Sequence, residues 1–218
     1  MNILYSKLMK NLIIIIGPPG SGKSLAGDLI VKHLNAKKIS TGEILREQIS
    51  QNLLPSDIAD KVLNGVLISD DIVNDIVKRE LESDCENIIL DGYPRNFSQF
   101  ITLQEMVGKS FDICCIHMKT PHDLILKRIG QRRVCECCGK SYTSKEQKCL
   151  SCGGALIKRP DDVNIKHRLE DYIQITEPVF TNSLRYWCNK TITVNVSLDS
   201  DILAIKKEVS TQLNKFFQ

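Results

Sequence analysis

An α/β three-layer sandwich of the P-loop type is the architecture expected of this chain, with a central parallel five-stranded sheet. Short β-branched apolar runs alternate with helical patterns along most of the 218 residues, which calls for a parallel sheet covered on both faces. The first apolar run, Asn11 to Ile16, leads directly into GPPGSGKS at 17–24. Hydrophobic residues make up 42% and charged residues 25%, an ordinary globular balance in a chain long enough for one sizeable core and an inserted lobe.

Asn11 to Ile16 is a buried strand, apolar without alternation because both of its faces are covered. A helix follows the glycine loop to about His33, and Lys38 and Ile39 begin a second strand. STGEILREQI starts a helix capped by Ser40 or Thr41, with Glu43 near the capping-box position. LPSDIADKVLNG is a helix capped by Ser56 and ended by Gly65. SDDIVNDIVKREL places Ile72, Val73, Ile76, Val77 and Leu81 on one helical face. NIILDGYPR is a strand and then a loop, NFSQFITLQEMV a helix, FDICCIHM a strand. Pro121 opens a helix over PHDLILKRIGQRRV, so Arg128 and Arg132, four apart, share a face. Helix resumes over DDVNIKHRLEDYIQITEPVF, then a last strand at TITVNVS and a last helix at SDILAIKKEVSTQL. Two stretches break the alternation: 41–67 is all helix, and 134–158 is cysteine-rich without periodicity.

A net charge of +3 argues against a dedicated nucleic-acid binder. No apolar run approaches the ~20 residues of a membrane span, and residues 1–10 lack the features of a signal peptide. Met9 could be an alternative start, with residues 1–10 a tail. Nine cysteines without a secretory leader point to reduced thiols and the cytoplasm. Cys114 and Cys115 lie in an apolar strand and are packing residues.

GPPGSGKS matches Gly-x-x-x-x-Gly-Lys-Ser between a strand and a helix. Gly17, Gly20 and Gly22 let the backbone turn its N–H groups inward, and the helix start adds a favourable dipole. Lys23 reaches the β- and γ-phosphates, and Ser24 approaches Mg²⁺. Cys135-x-x-Cys138 and Cys149-x-x-Cys152, each followed by glycine, have the ligand pattern of a tetrahedral zinc site. A disulfide pair or four free thiols are the competing readings. His33, His117, His122 and His167 are scattered, as surface or packing residues would be.

STGEILR (40–46), LDGYPRNFSQ (90–99), RIGQRR (128–133) and DD followed by HRLEDY (161–172), together with the loop, resemble the adenylate kinase family of nucleoside monophosphate kinases. The resemblance runs from about Asn11 to the C-terminus. It implies a core of 1–40, 68–133 and 159–218, a helical AMP-binding flap at 41–67, and a small zinc-bound lid at 134–158. The implied reaction is ATP + AMP ⇌ 2 ADP with Mg²⁺, in a monomer whose partners are ATP, AMP and ADP, without nucleic acid or membrane.

By the same resemblance, Thr41, Arg46, Gly92, Tyr93, Pro94, Arg95 and Gln99 bind AMP, with Arg46 on its phosphate and Gln99 facing the base. Backbone groups of Val66, Leu67 and Ile68 line its adenine pocket. Gly20, Ser21, Gly22, Lys23, Ser24 and Leu25 hold ATP with Ser141, Tyr142 and Leu198. Lys23, Arg128, Arg132, Arg159 and Arg168 surround the phosphates, Arg159 and Arg168 on the AMP side as well. The catalytic set is these five with Arg95 and Asp91, which orients Mg²⁺ through water. Asp161 and Asp162 help close and align the lid. Zinc on Cys135, Cys138, Cys149 and Cys152 replaces the core that so small a lobe lacks.

Where the family usually has Gly-Thr after the loop lysine, this chain has Ser24-Leu25, which removes a hydroxyl from the α-phosphate and predicts weaker ATP affinity. Val66 replaces a commoner lysine, and the stretch between Asp162 and Arg168 is about two residues shorter than usual. Two alternatives stand beside this reading: a kinase for another nucleoside monophosphate, and a nucleotide-dependent zinc-ribbon binding module without turnover.

Overall fold

The computed structural model of the chain describes residues 9–143, 146–197, 205 and 207–212. Five parallel strands form the main sheet: β1 (Lys10–Ile16), β2 (Lys37–Ser40), β3 (Asn87–Asp91), β4 (Phe111–Lys119) and β8 (Lys190–Asn195). Their order is β2-β3-β1-β4-β8, with every pairing parallel. β1 is central, so Leu12 to Ile16 are buried from both sides. Leu12, Ile14 and Ile16 face one core with Val77, Leu103 and Phe180. Ile13 and Ile15 face the other with Ala26, Ile30 and Val194. The two-residue period of a strand divides them this way.

The helices are α1 (Lys23–Leu34), α2 (Thr41–Ser50), α3 (Ser56–Leu63), α4 (Asp70–Leu81), α5 (Phe97–Val107) and α6 (His122–Gln131). α2 and α3 stand together without a strand between them. A second sheet is antiparallel and small: β5 (Arg132–Cys135) pairs with β6 (Ser141–Thr143) and β7 (Leu156–Ile157). After a 3₁₀ turn at Pro160–Asp162, α7 (Ile165–Asp171) runs through π-helical turns Tyr172–Thr176 and Phe180–Leu184, on either side of α8 (Glu177–Val179), to α9 (Arg185–Trp187). No helix of the described residues is long and apolar enough to cross a membrane.

The architecture is the expected one, but several local expectations need correction. The helix after Pro121 ends at Gln131 rather than continuing to Val134. Arg132 is extended (φ −69°, ψ 138°) and pairs with Thr143, because the antiparallel ladder captures 132–135. Arg128 and Arg132 therefore do not share a helical face. Ser56 is the first helical residue, and Pro55, extended at φ −54° and ψ 146°, occupies the cap. Ser40 caps α2 without a side-chain hydrogen bond, and the Glu43 carboxylate turns to Lys38 instead (3.1 Å). Cys114 and Cys115 fall in opposite cores. Desolvation in the core that holds Ile13 and Ile15 pushes the Cys114 thiol up to about 12.

Candidate active site

β1 ends directly beneath the glycine loop. Gly22 caps α1 in the left-handed region (φ 96°) and makes no side-chain cap hydrogen bond, which leaves the first-turn amides to an anion. Lys23 Nζ donates to the carbonyls of Gly17 (2.7 Å) and Pro18 (2.8 Å). Burial pulls the Lys23 ammonium down to about 7, opposed by Asp91 and assisted by Arg95, Arg168 and Arg132. Ser24 Oγ donates to Asp91 Oδ2 at 2.8 Å. Asp91 reaches this point because β3 lies beside β1, with Asp91 opposite Ile15. The pair is a hydroxyl and a carboxylate side by side at the cradle, a hard-oxygen donor set suited to Mg²⁺.

Lys23, Arg46, Arg95, Arg128, Arg132, Arg159 and Arg168 all line one cleft of about 260 Å³, with Asp91 and Asp171 as its acidic residues. Carboxylates hold Arg132, Arg159 and Arg168. Arg159 donates Nε to Asp161 Oδ1 (2.6 Å) and Nη2 to Asp161 Oδ2 (2.7 Å). Arg168 Nη1 lies 2.8 Å from Asp161 Oδ2. Arg132 grips Asp162 through Nε (2.8 Å) and Nη2. Arg95 is held from its own loop, Nε donating to the Gly92 carbonyl at 2.9 Å. Burial and the nearby Arg159 pull Arg46 down to about 10. Burial also lowers Arg168 to about 10, though Asp161 opposes the shift. Arg46 and Arg168 remain cations at neutral pH, although the neighbouring guanidiniums weaken their hold on a proton.

Other expected positions divide. Gly20, Gly22, Ser24, Leu25, Leu67, Gly92, Pro94 and Ser141 line the cleft. Ser21 is buried, and its hydroxyl has no hydrogen-bond partner among the described residues. Thr41 is buried with Oγ1 3.4 Å from the Gly92 carbonyl. Tyr93 is fully buried, its hydroxyl 2.7 Å from Asn74 Oδ1. Gln99 is 3% exposed and its amide is tied to Arg95 and Asp70. Val66 is 42% exposed, whereas Ile68 packs against the core. The Tyr142 hydroxyl turns to Cys149 Sγ at 3.2 Å, toward the cysteine cluster. Leu198 lies outside the described residues.

The cleft also gains Gly65, Asp171, Tyr172 and Thr176, which sequence reasoning missed. Gly65 approaches so closely that a Cβ there would lie 2.7 Å from Arg168 Cδ. Tyr172 and Thr176 bound a π-helical turn. Pro178 inside that helical run was the available sign of a disturbed ladder.

Cys135, Cys138, Cys149 and Cys152 bring their four Sγ atoms within 4.8 Å of one another. Cys135 to Cys152 is 3.4 Å and Cys138 to Cys149 is 3.5 Å. A tetrahedral zinc with ~2.3 Å bonds needs sulfurs about 3.8 Å apart, so the donor set fits the metal. None of the cysteines is in a disulfide. The two knuckles repeat one design. The N–H of Gly139 donates to the Cys135 carbonyl (2.9 Å) and that of Gly153 to the Cys149 carbonyl (2.8 Å). Both glycines are left-handed, at φ 67° and 76°, which turns each chain back over its sulfurs. Desolvation would raise the Cys149 thiol, but hydrogen bonds from Tyr142 and the amides of Cys152 and Ser151 bring it down to about 5.

A family model described as adenylate kinase matches residues 15–186. An adenylate kinase of Thermosipho africanus (strain TCF52B) is 36% identical over 213 residues, covering 90% of this chain and 96% of the relative. One from Caldicellulosiruptor saccharolyticus is 35% identical over 211 residues, covering 90% and 96%. One from Archaeoglobus fulgidus is 34% identical over 217 residues, covering 93% and 98%.

Proposed function

The chain belongs to the adenylate kinase family of phosphotransferases, and from that premise we propose that it catalyses ATP + AMP ⇌ 2 ADP with Mg²⁺. The observation that carries the proposal is the convergence of seven cationic side chains on one cleft. A switch that bound only a triphosphate at the glycine loop would not need Arg46 on α2 and Arg95 after β3 facing the same space.

Phosphoryl transfer asks for positioning and charge neutralisation rather than covalent catalysis. An oxygen of the AMP phosphate attacks the γ-phosphorus of ATP, and the bond from that phosphorus to the β-bridging oxygen breaks. The acceptor is already ionised near pH 7, so no general base is needed. Lys23 and the open amides of α1 hold the donor's β- and γ-phosphates. Arg46 and Arg95 hold the acceptor phosphate. Arg128, Arg132, Arg159 and Arg168 surround the group in flight, where planar guanidiniums match phosphate oxygens in pairs. Ser24 and Asp91 would hold Mg²⁺, which when bound neutralises charge on the donor phosphates.

Residues 41–67 act as the flap over the acceptor and 134–158 as the lid over the donor, excluding water that would otherwise hydrolyse ATP. Zinc at the four cysteines stiffens a lobe too small for its own core. A coupled assay with ATP against AMP, CMP, UMP and GMP tests the proposal. Turnover with AMP well above the others is expected, and equal or better turnover with another monophosphate would overturn it.

A further inference from the structure

We propose that Asp70 sets the base selectivity of the acceptor pocket, by fixing which end of the Gln99 carboxamide meets the base. This rests on the AMP-acceptor proposal above, together with the placement of Gln99 against the acceptor's base that the family resemblance implies.

Gln99 is held at both ends of its amide. Oε1 accepts from the Arg95 backbone N–H at 2.8 Å, and Nε2 donates to Asp70 Oδ1 at 2.7 Å. Its own backbone N–H donates to Asn96 Oδ1 at 2.8 Å. Asn96 Nδ2 in turn donates to both oxygens of Asp70, at 2.9 and 3.0 Å. Asp70, in the first turn of α4, therefore accepts from two side-chain amides that begin α5. A flipped Gln99 would put its NH₂ against the Arg95 N–H and its oxygen against a carboxylate. Both contacts would be like against like, so one polarity is enforced.

The enforced polarity matters because two purine edges have one shape and opposite sense. Adenine offers an N6–H donor beside an N1 acceptor. Hypoxanthine offers an O6 acceptor beside an N1–H donor. After its two internal bonds, Gln99 keeps one N–H and one oxygen lone pair. A freely rotating carboxamide could serve either base. A locked one serves the first and leaves the second with an unpaired donor and acceptor, the kind of mismatch that a polar pocket rejects strongly. Asp70 hydrogen-bonds to Gln99 and Asn96, so it is a positioning residue.

The test compares AMP with inosine monophosphate, with ATP as donor, in the full chain and in Asp70→Ala and Asp70→Asn. Asparagine keeps an oxygen where both amides donate. In Asp70→Ala the preference for AMP, as a ratio of kcat/KM, should fall by about tenfold or more. The loss should come mainly from a higher KM for AMP, with the KM for ATP unmoved. Asp70→Asn should restore most of the preference. Should the alanine chain fail to fold, Asp70→Ser keeps a helix-starting oxygen and carries the same expectation. An unchanged preference in Asp70→Ala, in a chain that strongly prefers AMP, overturns the role of Asp70 alone. Equal loss in the alanine and asparagine variants with a raised KM for ATP also overturns it. A wild-type chain that does not use AMP overturns both the acceptor proposal and this one.

Discussion

Asp161 holds Arg159 by a two-pronged ion pair, with 2.6 and 2.7 Å between the facing nitrogens and oxygens. The same carboxylate lies 2.8 Å from Arg168. One buried acid thus organises two arginines of the cleft before any phosphate arrives.

Replacing it should trade stability for affinity. Asp161→Asn leaves two closely spaced, mostly buried guanidiniums without their counter-charge. Breaking such a pair from one side typically costs about 3 kcal/mol. The expected result is a lower melting temperature for the free protein and a larger upward shift than wild type on adding a bisubstrate dinucleotide. Differential scanning fluorimetry with and without the ligand reads both, and equal shifts in the two proteins would contradict the arrangement.

Lys23 should take up a proton when nucleotide binds. Its ammonium is held at about 7 in the free protein, below the ordinary 10.5, chiefly by burial. Between these values the unfolded chain binds more protons than the folded one, so this group's contribution to stability improves as pH rises from 7 toward 10.5, and its penalty is full below 7. Bound phosphates favour the cation and restore the proton. Titration calorimetry at pH 8 in buffers of different ionisation enthalpy should show uptake approaching about one proton. At pH 6 it should show little, and Lys23→Met should abolish it.

Arg95→Ala should slow turnover without unfolding the chain. Its guanidinium is positioned by the Gly92 carbonyl and lines the cleft. Removing one preorganised donor to developing charge costs about a hundredfold to a thousandfold in kcat. Steady-state kinetics beside a circular dichroism melt separate the two effects, and unchanged turnover would remove Arg95 from the proposed machinery.

Stripping zinc should loosen the lid first. The loss should be about 2 kcal/mol or more, which is about 4–8 °C for a chain of this length. Hydrogen exchange should rise across β5 to β7 while β1 and α1 stay protected. A verified zinc-free sample with an unchanged melt would contradict the structural role.

The order of strands and helices, the P-loop and the paired cysteine knuckles were legible in the primary structure, because each is a local pattern with a local cause. Leu12 to Ile16 is apolar at every residue because a central strand is buried on both sides. GPPGSGKS must turn because of its glycines. The knuckles carry their own spacing and glycines. Which arginine pairs with which acid was not legible, nor was the end of α6 at Gln131. Arg132 left the helix because a ladder with 141–143 formed, a contact made across the cysteine-rich insert. The lock on Gln99 joins Asp70 to residues 26 and 29 positions further on, so no local periodicity could announce it. Neighbouring residues settle backbone preference, while burial and charge pairing depend on what the packed sheet brings within about 3 Å, where a hydrogen bond is gained or lost.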